Sequence, residues 1–399
     1  MNYRDKFPIL KQGKKIIYMD SACITLLPQS VLDSINKYYM EYSGCHGRGG
    51  HIFNEETTKR YEETRIKIQK FINAASPEEI IFTKNTTESI NLVARTFPFL
   101  ENDIVLTSDI EHNSNLLPWQ ELAKKGKIKH TVFNTDKDTV FNINKFKESM
   151  NENVKLVSIL HLSNLTGVEF PISEIAEIVH NNKETHLMID AAQSLCSLDI
   201  DVQKMGIDFL SSSLHKNFGP SGVGFLYARK PLLETLDNFL VGGETIINST
   251  YTQSEFASLP HRFEAGLQNY AGIIAGGESI NFIENIGKDN IHNHKIKLNK
   301  ILSEKIENIS GIKILGPHDA QKREGICNFL INGLDSFDTA KILSESQSIM
   351  IRAGFLCVHA WYNKNEIPPS LRVSLQIYNN EDEVLILAES IKKLSNYFR

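Results

Sequence analysis

The sequence has few cysteines, and their spacing gives no sign of a structural role. The five are Cys23, Cys45, Cys196, Cys327 and Cys357, an odd number without any Cys-x-x-Cys pair. This pattern argues against a disulfide framework and against a zinc knuckle. We therefore expect most of these side chains to be small buried hydrophobes, and one of them to be a candidate reactive thiol.

The chain also lacks the features of nucleic-acid-binding, secreted and membrane proteins. Its formal net charge is -5 and it has no basic cluster, so we expect no nucleic-acid partner. No apolar run is long enough to cross a bilayer, and residues 1–6 lack the apolar core of a signal peptide. The sequence therefore predicts a cytoplasmic protein with no membrane partner.

Two common cofactor and metal motifs are missing as well. There is no His-Glu-x-x-His, and His292 and His294 form only an isolated polar pair, so no metal site is predicted. Residues 219–224 read Gly-Pro-Ser-Gly-Val-Gly and precede an apolar run. Their order and position exclude the Gly-x-Gly-x-x-Gly dinucleotide fingerprint.

What the sequence does contain is a regular alternation of short apolar runs with helical patterns. The candidate strands include residues 79–83, 103–107, 156–161, 187–190 and 224–227. A helix is predicted at residues 172–180, where Ile172, Ile175, Ala176 and Val179 share one face. Strands that alternate with helices predict an α/β fold with a mainly parallel sheet covered on both sides.

The length of 399 residues is enough for two domains. From about residue 280 the pattern changes to long helices rich in Lys, Asn and Glu, followed by short strands near residues 312–315 and 327–331. We predict a large domain at residues 16–279 and a smaller α+β domain at residues 280–399, together with residues 1–15.

A lysine and an aspartate follow two of the apolar runs. Residues 209–216 form a strand pattern that ends in Ser-x-His-Lys, and residues 186–190 end in Asp190. A lysine that loses solvation in a crevice can become a nucleophile, although most lysines are solvated surface groups. Because parallel sheets bind ligands beyond the carboxyl ends of their strands, Lys216 and Asp190 are candidates for one site.

Further polar residues follow other strand patterns. Residues 85–88, Asn-Thr-Thr-Glu, open a helix and fit an anion cradle, although a capping box explains them equally well. His112 closes the predicted strand 104–111 and is either a ring-stacking or proton-relaying group or a loop histidine. Asn164 is either a site residue or a turn residue. A phosphate cradle, a lysine, a carboxylate and a flat-ring partner together suit pyridoxal phosphate.

The sequence resembles the fold-type I pyridoxal-phosphate enzymes of the class-V aminotransferase group, and within it the cysteine desulfurase and selenocysteine lyase branch. The matching motifs run from residues 18–22 to 372–379 and include residues 82–88, 111–115, 190–193, 215–216 and 262–266. The resemblance implies a large domain with a mainly parallel seven-stranded sheet covered by helices, and a smaller α+β C-terminal domain. It also implies bound pyridoxal phosphate and a homodimer.

The resemblance assigns roles to individual residues. Lys216 resembles the Schiff-base lysine, and Asp190 the partner of the pyridine nitrogen. His112 corresponds to the ring-stacking histidine, and Arg372 to the arginine that binds the substrate carboxylate. The other implied contacts are Thr86, Thr87, Ser213 and His215 for the phosphate, and Gln193 and Asn164 for the ring hydroxyl and the substrate.

Cys357 decides the reaction type. It lies in residues 351–359, which match the loop that carries the sulfur-accepting cysteine, although a buried structural cysteine is the alternative. Arg352 and His359 are candidates to stabilise its thiolate. Three departures from the family pattern are Phe355-Leu356 in place of two histidines, Leu267 in place of an interface threonine, and Asn113 in place of a second histidine.

The resemblance implies a cysteine desulfurase that converts L-cysteine, or a related amino acid, to L-alanine. The freed amine of Lys216 would take the α-proton, and Cys357 would take the sulfur as a persulfide for an acceptor protein. Alternatives that do not use Cys357 are a selenocysteine lyase, an aminotransferase, an epimerase or another C–S lyase on the same scaffold. A non-catalytic scaffold for sulfur-transfer partners is a further alternative, against which the intact Lys216 argues.

Overall fold

The computed structural model describes residues 3–11, 16–47 and 49–397. In these ranges the strands are β1 (Ile17–Tyr18), β2 (Ile80–Thr83), β3 (Ile104–Ser108), β4 (Lys129–Phe133), β5 (Val154–Leu160), β6 (His186–Asp190), β7 (Phe209–Ser213), β8 (Gly224–Ala228), β9 (Ile246–Ser249), β10 (Ser254–Phe256), β11 (Ile312–Leu315), β12 (Ile326–Ile331), β13 (Ile349–Met350), β14 (Arg352–Gly354) and β15 (Ser370–Ser374).

The α-helices in the same ranges follow the chain order. They are α1 (Gln29–Glu41), α2 (Ile52–Phe71), α3 (Thr86–Thr96), α4 (Asn113–Lys124), α5 (Ile143–Ser149), α6 (Ile172–Val179), α7 (Lys230–Thr235), α8 (Tyr270–Ile286), α9 (Lys288–Ile306), α10 (Ser336–Gln347), α11 (His359–Lys364) and α12 (Glu381–Tyr397). Among these helices, none combines the length and the apolar composition that a membrane crossing requires.

Seven strands form the main sheet, in the order β2-β8-β7-β6-β5-β3-β4. The pairs β7–β6, β6–β5, β5–β3 and β3–β4 are parallel, while β8 runs antiparallel to both of its neighbours. The prediction of a mainly parallel seven-stranded sheet is confirmed. The five candidate strands of this region correspond to β2, β3, β5, β6 and β8.

Apolar side chains cover both faces of this sheet. In β6, Leu187 and Ile189 belong to one core cluster, while Met188 between them belongs to another. Successive side chains of a strand point to opposite faces, so a strand buried on both sides reads as a continuous apolar run. The helix predicted at residues 172–180 is α6, and the four apolar residues of its predicted face are buried.

A second sheet lies nearer the C-terminus. Its antiparallel strands have the order β11-β12-β15-β14, and α9 and α12 pack on it through a core cluster of their own. The chain start joins this region, because β1 pairs in parallel with β13 and Asp20 forms a bridge with Ser374. The boundary predicted at residue 280 falls inside α8, and the division into two domains stays a prediction.

One predicted strand is too long. The pattern of residues 104–111 continues to Glu111, but β3 ends at Ser108. The backbone turns there because His112 is the N-cap of α4, where its Nδ1 accepts a hydrogen bond from the Ser114 N–H at 3.1 Å. An N-cap residue cannot continue a strand into a helix without this change of direction.

A buried ion pair joins α9 to the segment before β12. Lys295 Nζ lies 2.9 Å from Glu324 Oε1, and His292 Nδ1 lies 2.6 Å from Glu324 Oε2. The Glu324 N–H donates to the Gly167 carbonyl at 2.8 Å, so the same residue also reaches the loop after β5. Although burial opposes it, the charge of Lys295 and the hydrogen bond of His292 lower the pKa of Glu324 to about 2.

We expect the substitution Glu324→Ala to lower the free energy of unfolding by about 3–5 kcal/mol, because Lys295 would keep a buried charge without its partner. Urea denaturation at neutral pH measures this change. The matched control is Glu78→Ala, which removes a surface pair with Lys230 and should cost less than about 1 kcal/mol. Similar losses in the two variants would contradict the assignment.

The same pair has a defined pH dependence. The folded pKa of Glu324 is about 2, which lies below the ordinary value near 4.3. The stabilisation is therefore complete above the ordinary value and should disappear as the pH falls toward the folded value.

Candidate active site

Most of the predicted site residues surround one cavity of about 620 Å³. Those that line it are Thr86, Thr87, His112, Asn164, Ser213, His215, Lys216, Cys357 and Arg372. Asp190 and Gln193 are not among its lining residues, although Ala192 between them is. Gln193 lines a smaller cavity together with Lys216, and its Nε2 donates to the Ala22 carbonyl at 2.8 Å. The roles of these residues stay predictions.

Lys216 lies in a 3-10 turn, residues 214–216, directly after β7. Within the described part of the chain, its ammonium group has no hydrogen-bond or ion-pair partner. Burial lowers the pKa of Lys216, and the nearby Asp190 carboxylate opposes this change. A lowered pKa increases the fraction of neutral amine, which is the nucleophilic form.

Asp190 is the last residue of β6, the strand next to β7. Its Oδ1 accepts a hydrogen bond from the Ala192 N–H at 2.9 Å, and the residue is 7% exposed. Oδ2 accepts no hydrogen bond from the described residues. Burial raises the pKa of Asp190, while the Ala192 N–H and the charge of Lys216 oppose this. This oxygen could accept a hydrogen bond from the ring N–H of a ligand.

Hydroxyl groups and a helix start form an anion cradle at the cavity. The Thr86 N–H donates to Ser213 Oγ at 2.8 Å, and Thr86 Oγ1 lies 2.8 Å from the same oxygen. Thr87 Oγ1 lies 2.7 Å from Ser114 Oγ at the start of α4. These hydroxyls and the N-terminal N–H groups of α3 are donors of the kind that bind phosphate.

The helix start is also capped, as the sequence allowed. Asn85 Oδ1 accepts a hydrogen bond from the Glu88 N–H at 2.9 Å. The Glu88 carboxylate accepts from the Lys84 N–H, so the reciprocal bond of a capping box does not reach Asn85. A Cβ on Gly224 would lie 2.7 Å from Asn85 Cα, so glycine is required where β8 passes behind the cradle.

His112 presents a neutral ring at the cavity wall. Its Nδ1 accepts a hydrogen bond, which leaves the ring proton on Nε2. Burial and the positive charges of Lys216 and Arg372 lower the pKa of His112 to about 3. The imidazole is therefore uncharged at physiological pH and suited to stacking on a flat ring. With the cradle, Lys216 and Asp190, it completes a site that fits a phosphorylated pyridine aldehyde.

A buried arginine lies on the other side of the cavity. Arg372 Nη2 lies 3.2 Å from Asp20 Oδ1, and Nη1 donates to the Asn164 carbonyl at 3.1 Å. Its buried Nε has no hydrogen-bond partner among the described residues. A guanidinium with a free donor in a cavity wall is suited to bind the carboxylate of a ligand.

Asp20 and Cys23 also belong to the candidate site, although the sequence motifs gave them no role. Asp20 lies between two arginines, because Arg352 Nη2 is 3.0 Å from its Oδ2 while Arg372 contacts its Oδ1. Cys23 lines the cavity, and its Sγ contacts Arg352. Arg352, a candidate partner of Cys357, thus contacts Asp20 and Cys23. Asp20 lies within the family motif of residues 18–22, and this motif was the one indication in the sequence that it could belong to the site.

The loop that carries Cys357 has an unusual backbone. Leu356 and Cys357 have φ values of 51° and 58°, in the left-handed region that costs non-glycine residues roughly 1–2 kcal/mol each. Two asparagines hold it: Asn164 Nδ2 donates to the Leu356 carbonyl at 2.8 Å, and the Asn113 N–H donates to the Cys357 carbonyl at 2.7 Å. Cys357 itself is exposed. Asn113 also contacts His359 Nδ1, at 3.0 Å.

We expect the substitution Asn164→Ala to loosen this loop, because the strained Leu356 backbone would lose its hydrogen-bond donor. Hydrogen–deuterium exchange should become faster in residues 354–358. The control Asn142→Ala removes another asparagine side chain, the N-cap of α5, and should change exchange only around residues 143–149. Unchanged exchange of residues 354–358 in the Asn164 variant would show that other contacts hold the loop.

The chain matches known proteins over nearly its whole length. The family model described as aminotransferase class-V matches residues 17–387. A probable cysteine desulfurase of Halalkalibacterium halodurans is 36% identical over 398 residues, which cover 98% of this chain and 97% of the relative. A cysteine desulfurase of Haloferax volcanii is 33% identical over 387 residues, which cover 96% of this chain and 90% of the relative.

Solved structures agree with these matches. The apo structure of a cysteine desulfurase from Thermococcus onnurineus superposes with a TM-score of 0.94 at 33% identity, covering 99% of this chain and 97% of the other. An Escherichia coli cysteine desulfurase in an S-sulfonic acid form gives a TM-score of 0.91 at 25% identity, covering 99% and 98%.

Proposed function

The chain belongs to the class-V aminotransferase family, and from this premise we propose that it is a pyridoxal-phosphate-dependent cysteine desulfurase. The reaction converts L-cysteine to L-alanine and leaves the sulfur on Cys357 as a persulfide. The observation that carries the proposal is that Cys357, Lys216 and Arg372 line a single cavity. The names of the full-length relatives support the same activity.

The cofactor would be held by residues from several strand ends. Thr86, Thr87, Ser213 and His215 would bind its phosphate, and Asp190 would accept the ring N–H. When bound, pyridoxal phosphate supplies an aldehyde that attaches an amino group and a ring that withdraws electrons from the attached carbon atom. His112 would pack against the ring as an uncharged imidazole, so that it adds no positive charge beside the ring nitrogen.

Substrate binding would use Arg372, which forms an ion pair with Asp20 in this structure. The guanidinium of Arg372 can form a two-pronged contact with the substrate carboxylate when Asp20 gives way, because Arg352 remains as a partner for Asp20. Lys216 would hold the aldehyde before substrate arrives. Once released, its neutral amine would take the α-proton at Nζ.

The sulfur transfer would be carried out by Cys357. Its thiolate would attack the substrate sulfur, so that an S–S bond forms and the Cβ–S bond breaks. The electron pair of the broken bond stays with the carbon, which takes up a proton and leaves as part of alanine. L-cysteine and the thiol thus give L-alanine and a persulfide without any oxidant.

The same proposal includes a homodimer, a sulfur-acceptor protein and a cytoplasmic location. Exposed apolar side chains support the dimer: Leu267 is 72% exposed, and Ile52 and Phe53 are 74% and 44% exposed. Leu267 also stands at the interface position that the family resemblance assigns, so its exposure in a single chain fits a partner surface there. The exposed position of Cys357 supports delivery of sulfur to an acceptor.

The first test concerns the lysine. We expect borohydride to fix pyridoxal phosphate covalently to Lys216 in the holoenzyme, and Lys216→Ala to lose both this label and the release of alanine from cysteine. The control Lys84→Ala, an exposed lysine beside the cradle, should keep the label. A label on another lysine of the wild-type protein would refute the site.

The second test concerns the thiol. We expect mass analysis after incubation with L-cysteine to find one added sulfur atom on Cys357, and Cys357→Ala to reduce alanine release by about 100-fold or more, since the attacking group is lost. The controls are Cys45→Ala, an exposed cysteine that does not line the cavity, and Cys23→Ala, which does.

Two results would separate the alternatives. If Cys357→Ala kept the wild-type rate of alanine release at limiting reductant, the enzyme would be a lyase that does not use this thiol. If Cys23→Ala abolished the persulfide while Cys357→Ala did not, the sulfur-accepting residue would be Cys23.

A further inference from the structure

Three side chains with metal-ligating atoms converge away from the cavity described above. His46 lies between α1 and α2, Glu62 lies in α2, and His261 begins the 3-10 turn His261–Phe263. One ligand atom from each lies within 4.8 Å of the other two. His46 Nε2 is 3.0 Å from Glu62 Oε1, and the two imidazole rings lie 5.2 Å apart.

We propose that His46, Glu62 and His261 form a binding site for a divalent transition-metal ion of the zinc type. Two imidazoles and one carboxylate are a ligand set that zinc uses in proteins, with further positions filled by water. Zinc bonds of about 2.0–2.1 Å place neighbouring ligand atoms about 3.3 Å apart. The observed spacing therefore needs only small side-chain rotations to reach this geometry.

The site is accessible to an ion from solvent. The side chains of Glu62 and His261 are each 34% exposed, and that of His46 is 15% exposed. An ion could therefore enter without unfolding of the surrounding chain, and water could complete its coordination. The ring of His46 packs against Tyr61 with centroids 4.7 Å apart, which limits its rotation.

Side chains behind the proposed ligands can orient them. His261 Nδ1 lies 3.6 Å from Glu264 Oε2, so a small rotation of the ring would bring the two atoms into hydrogen-bond contact and leave Nε2 for a metal. Arg65 Nε lies 2.9 Å from Glu62 Oε2, and it also holds Glu264 through Nη1 at 2.8 Å. A carboxylate behind a ligating imidazole is the usual arrangement at metal sites, since it sets the tautomer and the ring orientation.

The charge of the cluster favours a cation. With neutral imidazoles, the carboxylates of Glu62 and Glu264 face the single guanidinium of Arg65, which leaves one net negative charge. A carboxylate and two neutral imidazoles are the forms in which these side chains bind a metal ion.

A metal at this position would join three segments behind the phosphate cradle. Glu264 Oε1 accepts a hydrogen bond from the Phe82 N–H of β2 at 2.7 Å, and β2 leads to Thr86 and Thr87. The ion would therefore fix the loop of His46 to α2 and to the turn that precedes Glu264. Its effect would be on stability, because none of its ligands lines the cavity.

The test is a titration of the metal-stripped holoenzyme with Co²⁺, followed by competition with Zn²⁺. We expect one bound Co²⁺ with visible d–d bands and no thiolate-to-cobalt charge-transfer band, since all ligands are nitrogen or oxygen. Loss of a group that hydrogen-bonds to a metal ligand weakens metal binding by about 10–100-fold, so loss of both imidazoles should exceed about 100-fold. This variant is His46→Ala combined with His261→Ala.

The control is His318→Ala, which removes a histidine that is 91% exposed and should leave the affinity unchanged. Glu62→Gln keeps the shape of the side chain and should also weaken binding, so it decides the question if the double variant does not fold. Failure of the wild-type protein to bind Co²⁺ would overturn the proposal. So would a thiolate charge-transfer band that disappears in Cys45→Ser, since the metal would then be on the neighbouring cysteine.

Discussion

The candidate site is built around an amine and an acid that are buried at the ends of two neighbouring strands. Burial lowers the pKa of Lys216 and raises that of Asp190, and the attraction between them offsets these shifts only in part. A protein selected for stability alone would replace both groups with apolar side chains. Their presence at the carboxyl ends of β6 and β7 is explained if a bound cofactor reacts with the amine and donates a hydrogen bond to the acid.

The second sheet supplies the other half of the site. Arg372 comes from β15, and β1 brings Asp20 beside it. Because Asp20 also contacts Arg352, its single carboxylate is shared between two guanidinium groups. The segment of Asp20 and Cys23 therefore adjoins the candidate site, although it lies far in sequence from the other candidate site residues.

The fold could be predicted well because its strands are buried on both faces. Runs such as residues 187–189 are apolar at every position, and the face of α6 shows clear helical spacing. Lys216 and Asp190 could be found because they end such runs. The match to the family model covers residues 17–387, which include all of the ordered motifs.

Other features depend on contacts that no local pattern records. The apolar pattern places His112 directly after a strand of residues 104–111, but β3 ends at Ser108, and a hydrogen bond from the Ser114 N–H makes His112 an N-cap. Cys23 meets Arg352 only through the pairing of β1 with β13. The cluster of His46, Glu62 and His261 unites residues from three separate elements, so sequence spacing could not indicate it.

The backbone at Leu356 and Cys357 has a consequence for how sulfur could leave the enzyme. Two successive residues in the left-handed region make the resting loop a high-energy conformer, kept in place by Asn164 and Asn113. Rotation of the peptide plane between them changes φ of Cys357, so it would relieve the strain at the residue that carries the thiol. A change of loop conformation would therefore cost less than one that starts from a relaxed backbone. An acceptor protein would have to break the hydrogen bonds that Asn164 and Asn113 donate to the loop.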